Sequence, residues 1–472
     1  MNKAIDEKQW ENLIRKSKRT YAHFDVRTDL SRSKTADYVK DPEKVTRHGF
    51  YPFIHYRLEY HRYSSSGEKN SKIRDVCYAA HIDRCIYQYY SYLLNEAYLE
   101  RIKADSIFDV PIAYRTDLHK NNIHFAKRAF DFIRVNAPCS ILIGDFKSFF
   151  DKLDHGYLKK QWCSLLGVDN LPDDHYAVYK SITKYSMCER KDLLRLNGLK
   201  DTLAGVKELN KKKRVFSVDE YHSFRKAISY DQNNTPQKFI VLNQHTDKQG
   251  HMCGIPQGSP ISASLANIYM LEIDKHISDC VGSLGGLYMR YCDDFIIVIP
   301  DKDNIGFDKA ILDSFVDYLN KQPGIILEPQ KTQYFYHCDS KVVGCSAMVE
   351  HNPRKSFLNF LGFSYDGTSV TLRSKTIFKY FTRMYKKART ITKRNGVSPR
   401  GNRISCKRLY QLYSFRGTIN GTRSDIREQS GEHHKCGNFI SYVLRAKEIM
   451  GGDFNEKILT RHMSKIRKAL KK

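Results

Sequence analysis

The sequence predicts an α+β fold, in which short apolar strands paired as hairpins lead into a basic, helix-forming C-terminal region. Two observations carry the prediction. Leu287-Tyr288-Met289-Arg290 and Phe295-Ile296-Ile297-Val298-Ile299 flank Tyr291-Cys292-Asp293-Asp294 and are bounded by Gly285-Gly286 and Pro300. Short β-rich runs with that punctuation read as two strands turning back on each other. Beyond them, the 58 residues between Asp366 and Asp425 hold 15 Lys or Arg and no acid, too long a run for a merely solvated face. A chain of 472 residues has material for several subdomains.

Taken in order, Met1 to Thr20 is polar and charged, unlike a secretory signal. Tyr60–Tyr63 and Ile73–Cys77 flank the Ser/Gly/Asn/Lys-rich stretch Ser64–Ser71, a hairpin pattern. Ser140-Ile141-Leu142-Ile143-Gly144 reads as a buried strand that delivers Asp145 at its end, and Leu153, Leu158 and Trp162 follow at helical spacing. Residues 190–250 carry the basic run Lys211-Lys212-Lys213-Arg214, a helix-like Val218–Ile228 and a polar turn at Asp231–Asn234. The basic run suits a solvated loop and an RNA contact equally. Gly254 and Gly258 permit close backbone approach, and Pro256 stiffens the loop before a helix expected near Ser262. In the last region Ile377-Phe378, Phe381, Met384-Tyr385 and Ala388 recur at helical spacing. Lys379, Arg383, Lys386, Lys387 and Arg389 take the other faces, where they would meet a nucleic-acid backbone.

The acids carry the chemistry. Neighbouring carboxylates at Asp293 and Asp294 repel unless a cation removes the conflict, and hard oxygen ligands select Mg²⁺. An ordinary acidic β-turn is the plain alternative. Asp145, at a strand end just before a helix, is well placed to meet the turn. Together the three could hold two metals about 3.5–4 Å apart, an arrangement that clamps the attacking and leaving oxygens of phosphoryl transfer.

These residues resemble reverse transcriptases. Asp145 through His155 (Asp-Phe-Lys-Ser-Phe-Phe-Asp-Lys-Leu-Asp-His) resembles motif A, Gly254 to Ser262 (Gly-Ile-Pro-Gln-Gly-Ser-Pro-Ile-Ser) motif B, and Tyr291 to Asp294 motif C. Gly324 to Thr332 is similar to motif D and Phe360-Leu361-Gly362-Phe363 to motif E, the primer grip. The resemblance implies a right-hand polymerase fold: fingers, a palm with an antiparallel sheet, and a helical thumb. It places an N-terminal extension at 1–45, fingers at 46–135, palm at 136–155 and 254–370, an A–B connection with an insertion at 156–253, and the basic thumb at 371–472. It implies an RNA-directed DNA polymerase using two Mg²⁺ (or Mn²⁺) and dNTPs. Asp145, Asp293, Asp294 and the Phe146 backbone carbonyl would hold the metals. Lys331 would protonate pyrophosphate, its alternative being a solvated surface charge. Lys72, Arg74, Gln257 and Gly258 would hold the nucleotide, with Arg74 favoured for its bidentate fork. Phe150 would gate the 2′-position, although either Phe149 or Phe150 must pack inward. Phe360, Leu361 and Gly362 would grip the primer, or be plain core.

Composition agrees with a nucleic-acid partner: 79 Lys+Arg against 52 Asp+Glu leave a net charge of +27. No apolar run approaches membrane-spanning length, and the 12 cysteines include no Cys-x-x-Cys pair, so free thiols in a reducing cytoplasm are expected. His433-His434-Lys435-Cys436 suits a polar loop better than a zinc ligand set, because no second pair accompanies it. About 110 residues follow the primer grip, so no RNase H, integrase or endonuclease domain is expected, nor the maturase region of group II intron enzymes. Tyr21-Ala22-His23-Phe24-Asp25, the Tyr-Cys-Asp-Asp variant and the long A–B connection are similar to bacterial defence-associated reverse transcriptases of type 2. That likeness implies a dedicated non-coding RNA as template, copied into concatenated cDNA through an RNA–DNA duplex in antiphage defence. Untemplated or protein-primed synthesis, an RNA polymerase, and an inert RNA-binding scaffold are the competing readings.

Overall fold

The computed structural model describes residues 5–63, 69–230, 235–345, 356–398, 401, 403–419, 437–451, 454 and 456–471. The readings placed on Asp231–Asn234, on His433–Cys436 and on residues 64–68 of the first turn lie outside the described residues. In chain order the strands are β1 (Phe53–Tyr63), β2 (Lys69–Tyr78), β3 (Cys139–Asp145), β4 (Ser186–Glu189), β5 (Ile228–Tyr230), β6 (Pro236–Lys238) and β7 (Ile240–Leu242). They continue as β8 (Leu287–Tyr291), β9 (Asp294–Pro300), β10 (Gln333–Cys338), β11 (Lys341–Gly344), β12 (Leu358–Phe360), β13 (Phe363–Tyr365) and β14 (Val370–Leu372). With helices between most of them, the chain is α+β, as expected.

The chain forms two compact units, each built from three separate stretches. The first unit comprises Met1–Tyr114, Phe146–Ser278 and Phe315–Glu328. Its four-stranded sheet runs β2-β1-β4-β7. The β1–β2 hairpin expected from sequence pairs from Ile54↔Tyr78 to Tyr63↔Lys69. Residues between the A-like and B-like motifs supply the other two strands, β4 parallel to β1 and β7 antiparallel to β4. The same region adds the helices Arg190–Leu196, Leu203–Leu209 and Val218–Lys226. Leu193, Leu194, Leu209 and Phe224 close a core with Ala22, Phe24 and Ile54. The third helix starts with a capping box, Ser217 accepting from the Glu220 N–H, which removes one orphan donor. It ends at Lys226, earlier than the apolar spacing predicted, because Ile228 opens β5 and is 52% exposed. Within Tyr21–Asp25, the Asp25 carboxylate accepts from His81 Nδ1 at 2.8 Å and from the Ile82 N–H at 2.9 Å, pinning this segment to the start of the helix His81–Ala104.

The second unit comprises Arg115–Asp145, Asp279–Ser314 and Pro329–Lys472. Its five-stranded sheet runs β11-β10-β3-β9-β8, and every pairing is antiparallel. β3 lies at the centre and is buried along its whole length, which explains its unbroken apolar run. A second sheet, β12-β13-β14, is a short meander.

The helix Ser374–Lys393 forms where the basic region predicted it, but its buried stripe is Tyr380, Met384 and Ala388. Phe378 and Tyr385, read as core, are 66% and 43% exposed. Tyr380 fixes which face turns inward by donating its hydroxyl to the Tyr413 carbonyl at 2.6 Å, with Met384 and Ala388 following at i+4 and i+8. Lys465 of the helix Glu456–Leu470 sits over the Phe381 ring at 3.7 Å.

Among the described residues no helix is long and apolar enough to cross a membrane. The described cysteines are all free thiols.

Candidate active site

The acidic centre lies within the second unit. β8 and β9 pair from Leu287↔Val298 to Tyr291↔Asp294, leaving Cys292 and Asp293 as a two-residue loop. The first position of such a tight hairpin loop commonly needs φ above zero, and Cys292 adopts φ 61 without the freedom of glycine. Its side chain is buried, and the fully buried Arg290 donates from Nη1 to the Cys292 carbonyl at 3.1 Å. An arginine inside an apolar strand thus holds the turn from beneath and brings a positive charge close to the acids. Sequence reasoning missed it; the signal was a lone charged residue in an otherwise apolar strand.

The β3–β9 register then places Asp145 directly opposite Asp294. Asp145 is 8% exposed, and Lys331, two residues before β10, makes an ion pair with its Oδ1. The lysine is therefore neither a plain solvated charge nor unattached; it serves as the counter-charge of the acidic group. Burial, and after it the charge of Asp145, holds the Asp293 carboxyl above the usual range. Asp294 is pushed up to about 7 by burial first, then by the Asp293 charge and the Asp145 side chain. Such a group wants positive charge. Among the described residues no three His, Cys, Asp or Glu side chains stand as a ready metal-ligand set, since here the carboxylates engage one another and Lys331. The donor chemistry fits a hard dication: oxygen-only and multiply acidic, with Asp293 and Asp294 raised in pKa by burial first and by neighbouring carboxylates next.

The primer-grip-like turn also belongs to this unit. Phe360↔Phe363 pair around Leu361 (φ 46) and Gly362 (φ 94), a two-residue loop with both central residues left-handed. Asn122 Nδ2 donates to the Leu361 carbonyl at 3.0 Å, and the Arg373 N–H to the Gly362 carbonyl at 3.1 Å. Phe360 itself is buried core, whereas Leu361 and Gly362 are partly exposed.

The residues expected around the nucleotide lie in the first unit. The loop 254–258 is sewn to two neighbours by its backbone. The Gly254 N–H donates to Leu153 O at 2.8 Å, the Ile255 N–H to Phe150 O at 2.8 Å, and the Gln257 carbonyl accepts from the Cys77 N–H at 2.7 Å. At Gly258 (φ +109) an added Cβ would come within 2.4 Å of the Cys77 carbonyl oxygen, so only glycine fits. Of the two adjacent rings, Phe149 is buried and Phe150 is partly exposed. Phe146 is buried and its backbone bridges Leu327. Arg74 is exposed on β2, and Lys72 pairs with Tyr60 in the β1–β2 ladder. Asp151, not singled out from sequence, accepts a side-chain hydrogen bond from Gln257, and burial raises its pKa. Lys379, Arg383, Lys386 and Arg389 are exposed on their helix in the second unit, and Lys387 is half-buried.

Residues 203–365 match the family model described as reverse transcriptase (RNA-dependent DNA polymerase). The chain thus carries a reverse transcriptase domain, a nucleotidyltransferase domain of the RNA-directed DNA polymerase class. The antiparallel sheets and many helices are those of a right-hand polymerase fold. Asp293, Asp294, Gln257 and Lys331 fall inside the matched span, while Asp145 and Phe150 precede it. No curated protein matches the sequence. Solved structures similar to the chain include apo telomerase from Candida tropicalis, at 12% identity over 98% of this chain and 75% of that one, with a TM-score of 0.38. A C-terminally truncated form of that telomerase matches at 12% identity and a TM-score of 0.36, over 72% of this chain. The chain spans 59% of the length of that truncated telomerase. Telomerase from Candida albicans with a TWJ fragment of telomeric RNA matches at 13% identity over 96% of this chain and 68% of that one, with a TM-score of 0.34.

Proposed function

We propose that the protein extends a primer by copying RNA into DNA, with Asp145, Asp293 and Asp294 as the metal-binding carboxylates. The observation that carries this reading is the β3–β9 register, which sets Asp145 opposite Asp294 beside a turn bearing Asp293. A buried acid brought from about 150 residues away to a partly buried pair of adjacent acids is costly for folding and useful for phosphoryl transfer.

In this reading the three carboxylates and the Phe146 carbonyl would hold two Mg²⁺, Mn²⁺ being the substitute. When bound, the ions supply Lewis-acid stabilisation of the phosphoryl oxygens and a more acidic primer 3′-hydroxyl. The residues of the chain do the rest. Arg74 and Lys72 bind the triphosphate of the incoming dNTP, and Gln257 and Gly258 seat its base and sugar. Asp151 holds the Gln257 amide in place. Phe150 closes the space a 2′-hydroxyl would need. The primer 3′-oxygen displaces pyrophosphate from the α-phosphorus, and Lys331 delivers a proton to the departing group once released from Asp145. Phe360, Leu361 and Gly362 position the primer strand, and Lys379, Arg383, Lys386, Lys387 and Arg389 hold the backbone of the RNA–DNA duplex. The subdivision follows: fingers over 46–135, palm over 136–155 and 254–370, thumb over 371–472.

The biological setting is a finer proposal: copying of a dedicated non-coding RNA into cDNA in antiphage defence within the cytoplasm. It rests on the motif likeness. Tyr21–Asp25 weighs less in it than the motif likeness alone would give, because Asp25 already has a structural task at the helix His81–Ala104.

The test is primer extension on an RNA template by the full chain and by Asp145→Asn and Asp293→Asn/Asp294→Asn variants. Loss of nucleotide addition with retained RNA binding is expected. Undiminished synthesis by either variant overturns the assignment. Phe150→Ala should admit ribonucleotides; unchanged sugar discrimination returns Phe150 to a packing role.

A further inference from the structure

A cavity of about 720 Å³ opens within the first unit, in the size range of small-molecule sites. Its walls carry four cations, Lys16, Arg19, Arg84 and Arg190, and three rings, Tyr21, Tyr56 and Tyr78. No carboxylate is among the lining residues. Gly258 is its one residue in common with the proposed seat of the incoming nucleotide.

Of the four cations, only Arg190 meets a carboxylate in an ion pair among the described residues. Arg84 spends its guanidinium on neutral carbonyls, reaching Ser17 O at 2.6 Å and also Lys16 O. Arg190 stacks over the Tyr56 ring at 4.4 Å and makes a long ion pair of 3.6 Å with the half-exposed Asp201. The Arg190 Nε is buried without a hydrogen-bond partner among the described residues. Asp25 and Asp83 act on Tyr21 from behind the wall, yet each is already paired with a histidine, His81 and His48. The rings meet edge to face, Tyr21 and Tyr78 at 5.0 Å and Tyr56 and Tyr78 at 6.1 Å, and Tyr21 stacks one face on His81 at 4.5 Å. Gln88, 6% exposed and also lining the cavity, has a side-chain oxygen with no donor among the described residues. A buried acceptor left unmet is a cost that a ligand N–H would remove.

We infer that this cavity is a second nucleotide site, taking a free nucleoside polyphosphate that is not the one being incorporated. The ring edges and the remaining tyrosine faces suit a planar base, Gln88 offers an acceptor for its amino or imino group, and the four cations suit phosphate oxygens. Charge decides between a free nucleotide and one unit of a strand. Each strand phosphate brings one negative charge, whereas a triphosphate brings about four, matching the four cations. The cavity uses side-chain cations in place of metal, so binding there should not need a divalent ion.

The experiment is equilibrium dialysis of radiolabelled ATP against the full chain in EDTA. Saturable binding is expected, unchanged by Asp145→Asn/Asp293→Asn/Asp294→Asn and displaced by inorganic tripolyphosphate. Lys16→Gln with Arg19→Gln, both at the exposed rim, should weaken it about tenfold or more, as should Arg190→Gln alone, with thermal melts confirming the fold. No saturable binding without metal, or affinity unmoved in these variants, overturns the inference. Displacement of ATP by an oligonucleotide lacking a 5′-triphosphate, at concentrations where tripolyphosphate fails, assigns the cavity to a nucleic-acid strand and overturns it as well.

Discussion

Asp294 carries a proton at pH values where an ordinary aspartate has lost it, and the consequence for stability has a definite sign. Its folded pKa is raised to about 7, by burial first and by Asp293 and Asp145 next. An unfolded aspartate titrates near 4, so between about pH 4 and 7 the folded state binds the extra proton. Stability from this group is therefore greatest at the acidic end of that window and declines as pH rises through 7. In EDTA, the melting temperature should fall between pH 5.5 and 8, and Asp294→Asn should flatten the fall. A wild-type profile no steeper than that of the variant contradicts the raised pKa. Millimolar Mg²⁺ should restore stability at pH 8, because a dication replaces the proton as the neutralising partner. At this scale the acids stood out through the coincidence of Asp145 at a strand end with the Asp293-Asp294 turn, since the dipeptide alone fits an ordinary β-turn as well. The sequence did not show Arg290 under the turn or Lys331 on Asp145, because each partnership depends on which residues the strand register brings together.

The loop 254–258 earns its rigidity from neighbours far away in sequence, and a single atom tests it. Gly258→Ala places a Cβ 2.4 Å from the Cys77 carbonyl at φ +109, which costs about 1–3 kcal/mol in strain and displaces the Gln257 contact to β2. Nucleotide addition should fall at least tenfold through a raised KM for dNTP, while Gly49→Ala, with nothing within 4 Å, serves as a silent control. Equal activity in the two variants removes the loop from nucleotide binding. The glycines and proline of this loop were legible as a tight turn; the strand edge it docks on was not. The helix Ser374–Lys393 teaches the complement. Its existence, its cations and the inward Met384 and Ala388 were plain from spacing, but Phe378 and Tyr385 lie outside the buried face, which Tyr380 completes through its bond to Tyr413. Met384→Ala should cost about 2–5 kcal/mol in denaturant unfolding, whereas Phe378→Ser should change little. Comparable losses from both would restore Phe378 to the core.

The chain enters each compact unit three times, so its linear order conceals which stretches share a core. Short strands such as β4 and β7, three or four residues long, carry too little periodicity to announce that the connection between the motifs completes a sheet. Net charge, by contrast, needs no register, and +27 predicts a polyanionic partner whatever the fold. The structure sharpens that prediction. Lys379 and Lys386 are exposed on their helix, while Lys387 is half-buried. Each lysine that neutralises a phosphate contributes about one unit to the slope of log affinity against log salt. Replacing Lys379, Lys386 and Lys387 by Gln together should therefore lower the slope for primer–template binding by about two, with Lys387→Gln alone contributing least. A slope unaltered by the triple variant would mean that this helix face points away from the duplex, and that the charge excess acts through other parts of the molecule.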